Sequence, residues 1–215
     1  PQKITRETTV LEIDDYEWWE RQTADDNPYG GKIWPGAIAA ATRLVELAAT
    51  DELAGLSVIE IGAGNGFCSL AAAALPGPRS VLATDISEMS LELIRRAGPL
   101  QRGGLVSTLD VEVFDVMAKG LPLPSADLLV VADMLYDDAL AVAVAQRVCE
   151  AVKRGTEVVI GGDPKRAARI AFLKEVRKEL PEFEFEQQYS VKVPSLAWKA
   201  KGVEVAHIRG SSGNR

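Results

Sequence analysis

Val58-Ile59-Glu60-Ile61-Gly62-Ala63-Gly64-Asn65-Gly66 decides the fold. An apolar, β-branched run meets a loop with glycine at every second position, the pattern of a strand turning sharply into a helix. A second strand-like run, Ser80 to Thr84, ends on Asp85. Strand, glycine loop, helix, strand and terminal acid make the opening βαβ unit of a nucleotide-binding α/β sheet. The acid then stands where it can grip a ribose hydroxyl pair.

The glycine spacing narrows the ligand. The dinucleotide fingerprint is G-x-G-x-x-G, whereas Phe67 occupies the position of its third glycine here. A pyrophosphate seeks backbone N–H groups and a helix N-terminus, and the carboxylate of Glu60 at the loop's mouth repels it. S-adenosylmethionine has no phosphate and carries a cationic sulfonium and a cationic amino group. A loop of Glu60, Gly62, Ala63, Gly64, Asn65 and Gly66, with Asp85 and Ile86 beside it, suits that molecule. Gly62 supplies the tight turn, and Gly64 allows an approach that a Cβ would block. The plainer alternative is a glycine-rich turn with a solvated Asp.

A chain of 215 residues has room for one full domain with a sizeable core. Lys+Arg 24 against Asp+Glu 31 gives a net charge of −7, which argues against nucleic-acid binding through a broad basic face. No apolar run reaches the length of a membrane span. Cys68 and Cys149 fall in predicted helices among apolar neighbours, with neither metal-ligand nor disulfide spacing. Buried thiols point to an intracellular setting, cytoplasmic or organellar. The chain begins at Pro1 without a Met, so its start assigns no compartment. The single His, His207, reads as a satisfied sheet residue.

Residues 1–34 read as an extended arm and a short helix carrying Trp18 and Trp19, 35–209 as one domain, and 210–215 as a disordered tail. Pro35 opens a helix to about Thr50. Strands then alternate with helices: strands at 57–61, 80–84, 109–114, 127–132 and 156–161, helices at 66–75, 88–97, 137–153 and 165–179. Ser87 caps the second of these helices. Asp163 with Pro164 caps the fourth. Two strands, at 183–191 and 203–209, end the chain around a long loop. This order predicts an open α/β sheet, parallel except for one late strand, with helices on both faces.

Ligands of such sheets sit beyond the carboxyl ends of the strands. Asp115 and Val116 follow the third strand, where Asp115 either accepts from an adenine amino group or is an ordinary loop acid. Ala132 and Asp133 end a fully apolar strand, and Tyr136 follows within one turn. Methyl transfer to an amine needs a neutral lone pair held in place. A carboxylate such as Asp133 holds it by accepting an N–H bond, and an aromatic wall such as Tyr136 excludes water and favours developing positive charge. Asp133 otherwise caps the helix beginning near Leu135. Trp34, before the Pro35 helix, covers either a ligand or the helix base. Asp25-Asp26 is a solvated face or a lure for a cationic substrate.

With these residues assembled, the chain resembles the seven-β-strand methyltransferases that use S-adenosylmethionine, and within them the lysine methyltransferases of family 16. The resemblance runs from about Asn27 to His207. Ile33-Trp34-Pro35-Gly36 is similar to the family's upstream tryptophan motif, Glu60 to Gly66 with Asp85 to its cofactor motif, and Asp133-Met134-Leu135-Tyr136 to its D-x-x-Y motif. It implies a Rossmann-like seven-stranded sheet with an antiparallel last strand. It also implies cofactor contacts from Trp34, Gly62, Gly64, Asp85, Ala132 and Tyr136, and an active-site role for Asp133. Many relatives carry Trp where Val116 stands, which thins the expected adenine wall. The implied activity is methyl transfer to a lysine ε-amine of a protein substrate. The alternatives are a small-molecule N-methyltransferase, lidded by the loop at 192–202, and a non-catalytic scaffold.

Overall fold

Five of the predicted strands lie where their apolar runs are, because each is buried on both faces or closes over an existing edge. The computed structural model describes residues 7–13, 28–193 and 198–209. The expected helix at Trp18 and Trp19, the pair Asp25-Asp26 and the tail 210–215 lie outside the described residues.

A 3-10 turn, Pro28–Gly31, leads to α1, Pro35–Ala49. There follow β1 (Ser57–Ile61), α2 (Phe67–Ala74), β2 (Ser80–Asp85), α3 (Glu88–Ala97), β3 (Thr108–Val113) and β4 (Leu128–Ala132). The chain continues through α4 (Asp138–Lys153), β5 (Glu157–Gly162), α5 (Arg169–Val176), β6 (Gln187–Val193) and β7 (Trp198–Ile208). One seven-stranded sheet has the order β3-β2-β1-β4-β5-β7-β6. Its first five strands are parallel. β7 runs antiparallel to both neighbours and lies inside the edge strand β6.

Period-two alternation sorts the core. Val58, Val130 and Val159 face the side holding α1 and α2, with Leu44, Leu47 and Cys68. Ile59, Ile61, Leu129, Val131, Val158 and Ile160 face the side holding α4 and α5, with Val144, Val148 and Phe172. Leu91 and Ile94 of α3 pack on Ala83 of β2. Each fully buried Leu, Ile or Phe contributes about 1.5–3 kcal/mol, so the strand ends that carry the site rest on a rigid base. Strand order reverses between β1 and β4, and the crevice there opens at the carboxyl ends of both.

Three expectations are corrected. α5 begins at Arg169 rather than 165. Asp163 does not cap it: its Oδ1 accepts from Lys165 N at 2.9 Å in a local turn, a conformation that Asp and Pro favour as readily as a helix start. Second, Lys192 and Val193 belong to β6 and 198–202 to β7, so the loop at 192–202 is mostly a strand pair. Residues 194–197 lie outside the described residues. Third, Asp133 does not cap the helix after it. Asp137 does, accepting from Leu140 N at 2.9 Å.

Candidate active site

A cavity of about 710 Å³ lies beyond β1, β2, β3 and β4, within the size range of small-molecule sites. The glycine loop forms one wall. Gly62 and Gly64 both have positive φ, 64° and 55°, a region open to glycine. A Cβ on Gly64 would stand 2.9 Å from Gly30 O, and one on Gly62 would stand 2.2 Å from Met134 Sδ. The loop is therefore clamped between the Pro28–Gly31 turn and the Asp133-Met134 corner. Ala63 and Asn65 line the cavity with them. Gly66 does not. It takes the N-cap position of α2, where a Cβ would strike Ile94 Cγ1 at 2.5 Å. Its lack of a side chain serves packing against α3.

Asp85 ends β2 and joins two loops. Its Oδ2 accepts from Gly64 N and its Oδ1 from Ser87 N, each at 2.8 Å. Burial raises its pKa above the ordinary carboxyl value, opposed by those two N–H groups. Ile86, beside it, is exposed on the cavity rim. Ser87 caps α3 as expected, through Ser90 N.

Glu60 is placed otherwise than its sequence position implies. Alternation turns its side chain under α2, where Oε2 accepts from Ser69 N at 2.8 Å and from the Ser69 hydroxyl. Burial pushes its pKa up to about 7. Glu60 still borders the cavity, but it anchors α2 rather than projecting freely from the loop.

The β3 end supplies Asp115 and Val116. Asp115 Oδ1 accepts from Met117 N at 2.8 Å, closing a tight turn. Arg147 of α4 pins this segment from behind. Its Nε donates to Val116 O at 3.1 Å and its Nη2 to Ala118 O at 2.8 Å, and its guanidinium lies 5.3 Å from the Phe114 ring centre.

Asp133 follows Ala132 at the end of β4, with a left-handed φ of 54° that Asp tolerates better than most residues. Asp133 N donates to Gly161 O at 2.9 Å, which holds the corner. Its Oδ2 accepts from Ala37 N at 3.0 Å, in the first turn of α1. Burial pushes its pKa up to about 6, opposed by the N–H groups of Ala37 and Gly36 and by Arg166. Around it stands an aromatic group: Tyr29 is 6.0 Å from Trp34 and 6.1 Å from Tyr136, centre to centre. Trp34 Nε1 donates to Tyr29 O at 2.8 Å.

The cavity thus brings together Trp34, Glu60, Gly62, Ala63, Gly64, Asn65, Asp85, Ile86, Asp115, Val116, Ala132, Asp133 and Tyr136. Sequence reasoning missed Tyr29, Lys32, Met134 and Arg166, which also line it. Two adjacent glycines after Tyr29 signalled a tight loop, but not its landing on Gly64. His207 is a sheet residue outside the cavity, held between Arg43 at 3.1 Å and Glu157 at 3.2 Å. Since arginine has no acceptor, His207 Nδ1 accepts and Nε2–H donates.

A family model described as lysine methyltransferase matches residues 14–179. The chain belongs to the lysine methyltransferase family. A relative, the human electron transfer flavoprotein beta subunit lysine methyltransferase, is 29% identical over 159 residues, covering 69% of this chain. The chain spans 55% of that enzyme's length. Among solved structures, a putative RNA methyltransferase from Pyrococcus horikoshii superposes with a TM-score of 0.62 at 15% identity, covering 93% of this chain and 96% of the other. Magnesium protoporphyrin IX methyltransferase from Synechocystis, with bound SAH, gives 0.56 at 16% identity, covering 91% and 94%. At such identities these two likenesses show the methyltransferase fold alone. Family membership fits the three motifs, whose residues the fold assembles around one cavity: Trp34-Pro35-Gly36, the Glu60–Gly66 loop and Asp133 with Tyr136.

Proposed function

We propose that the protein transfers a methyl group from S-adenosylmethionine to the ε-amine of a lysine in a protein substrate. The observation that carries this reading is the position of Asp133. It stands at the switch point between β1 and β4, in the same cavity as the glycine loop and beneath an aromatic rim.

The residues fit the cofactor. Asn65 Nδ2 is buried beside the cavity without a hydrogen-bond partner among the described residues, a donor in need of an acceptor. The loop's neighbours Glu60 and Asp85 are acidic, and residues 60–66 include no Lys or Arg, which suits a cationic ligand and not a pyrophosphate. Gly62, Ala63, Gly64, Asn65 and Ala132 would hold its amino-acid part, Asp85 and Ile86 its ribose, Asp115 and Val116 its adenine, and Trp34 would cover its methyl end. When bound, it supplies a methyl group made electrophilic by a sulfonium.

The chain's own part is to position an amine. Asp133 Oδ2 is already engaged by Ala37 N, leaving Oδ1 to accept from the incoming lysine. With a pKa of about 6, its carboxyl is ionised at neutral pH. That value lies far below the roughly 10.4 of an ordinary lysine, so Asp133 orients the amine and the proton passes to water. Tyr136, 41% exposed, and Tyr29 border the entrance and flank the lysine stem. The described part of the expected lid, 192–193 and 198–202, is strand, which favours a macromolecular substrate over a small molecule. No described helix is long and apolar enough to cross a membrane. Incubation with a cell lysate and methyl-labelled S-adenosylmethionine tests the reading: label is expected in the protein fraction, while label confined to small molecules supports the small-molecule alternative.

A further inference from the structure

Arg166 lines the cavity on the connection after β5. Its guanidinium lies 5.4 Å from the Trp34 ring centre, and it is close enough to Asp133 to draw that carboxyl's pKa down. Yet it forms neither an ion pair nor a side-chain hydrogen bond with any described residue. Other half-buried arginines here are paired: Arg43 with Glu46, Arg147 with Glu150 and Arg169 with Glu204. Stacking on Trp34 fixes the guanidinium plane in advance, so little side-chain freedom is lost when a partner arrives. A fixed, partly desolvated guanidinium with a free fork is a receptor for a carboxylate, which it binds through two parallel N–H bonds.

Two carboxylates come near such a cavity: that of the cofactor's amino-acid part and that of an acidic side chain on the substrate. Sheet order separates them. The glycine loop follows β1, Asp133 follows β4, and Arg166 follows β5 on the far side of Asp133. We propose that Arg166 selects protein substrates in which an Asp or Glu lies beside the target lysine. This rests on the functional reading above and adds the substrate class. A lysine without that neighbour brings an ammonium towards a guanidinium offset only at a distance by Asp133, so the same residue rejects as well as attracts.

The test has a binding arm and a turnover arm. Wild type, Arg166→Gln and Arg166→Glu are titrated with S-adenosylhomocysteine, which carries the cofactor's carboxylate. Equal affinities are expected, and they also show that the variants fold. A tenfold loss would assign the carboxylate to the cofactor and overturn the proposal. Lysate proteins labelled by wild type are then mapped by mass spectrometry. The labelled lysines are expected to have an Asp or Glu adjacent in space. Reversing that acid to Lys should lower kcat/KM roughly tenfold or more through KM, and Arg166→Glu should restore it. Labelled lysines with no acidic neighbour, or unchanged rates in Arg166→Glu, would contradict the inference and leave the methyltransferase reading standing. No labelled protein at all, with cofactor binding intact, would overturn both.

Discussion

Gly36 is what lets Asp133 reach α1. A Cβ at Gly36 would stand 2.6 Å from Asp133 Oδ2 and 2.7 Å from Oδ1, well inside van der Waals contact, while Ala37 N donates to that same Oδ2 at 3.0 Å. The tryptophan motif and the D-x-x-Y motif, 96 residues apart between Ala37 and Asp133, are therefore one physical unit. The first supplies a bare helix N-terminus, and the second supplies the acid that docks on it.

Gly36→Ala is accordingly predicted to push the carboxylate off the first turn of α1. Misplacement by about 1 Å typically lowers turnover on the order of 100-fold. Affinity for S-adenosylhomocysteine should stay near that of wild type, because Gly36 does not line the cavity. Single-turnover rates beside calorimetric binding check this. Equal turnover in the variant would show that the position of Asp133 is not critical.

Asp133→Asn keeps an oxygen acceptor for Ala37 N and removes the charge. Turnover should fall sharply while cofactor affinity holds. The folded pKa of about 6 lies above the ordinary value of 3.8, so between those values the folded state retains a proton that the unfolded chain has released. Wild-type stability from this group is present below about pH 4 and lost as pH rises through about 6. At pH 8 the Asn variant should unfold at a temperature no lower than wild type. A lower one would mean that the charge itself stabilises the corner.

Glu60 makes the same argument more strongly. Its pKa of about 7, raised by burial from 4.5, is equivalent to on the order of 3 kcal/mol, at about 1.4 kcal/mol per pKa unit. That stabilisation is present below pH 4.5 and disappears as pH rises through about 7. Glu60→Gln retains an acceptor for Ser69 N and for its hydroxyl but does not titrate. Denaturant unfolding from pH 4.5 to 8 should show wild type losing stability relative to the variant. Parallel profiles would contradict the burial of an ionisable Glu60.

Asp85→Ala removes the acceptor shared by Gly64 N and Ser87 N. Hydrogen bonds to a charged group contribute about 1.5–3 kcal/mol, so affinity for S-adenosylhomocysteine should drop about 10- to 100-fold. Unchanged affinity in calorimetry would remove Asp85 from the ribose site.

The centre of the sheet was legible because β1, β4 and β5 are short apolar runs with nowhere to go but inside. β4, Leu128–Ala132, is buried throughout, and α3 begins where Ser87 caps it. The site was legible where chemistry and strand ends coincide, at Asp85, Asp115 and Asp133. It was not legible where contacts span the chain. The direction of Glu60 depends on which face α2 covers, a tertiary fact. Gly66 reads like its neighbours but faces Ile94. The stretch 192–202 reads as a loop joining two strands because Pro194 and alternating lysines interrupt its apolar pattern, although 192–193 and 198–202 extend β6 and β7. Arg166 reads as the start of a helix, and only the fold brings it over Trp34.

The most direct measurement is tandem mass spectrometry of proteins from a lysate incubated with deuterated-methyl S-adenosylmethionine, with wild type beside Asp133→Ala. The heavy methyl is predicted on lysine Nζ in wild type and absent with Asp133→Ala, while that variant still binds S-adenosylhomocysteine. Heavy methyl on another residue type, or equal lysine labelling by both proteins, would contradict the account.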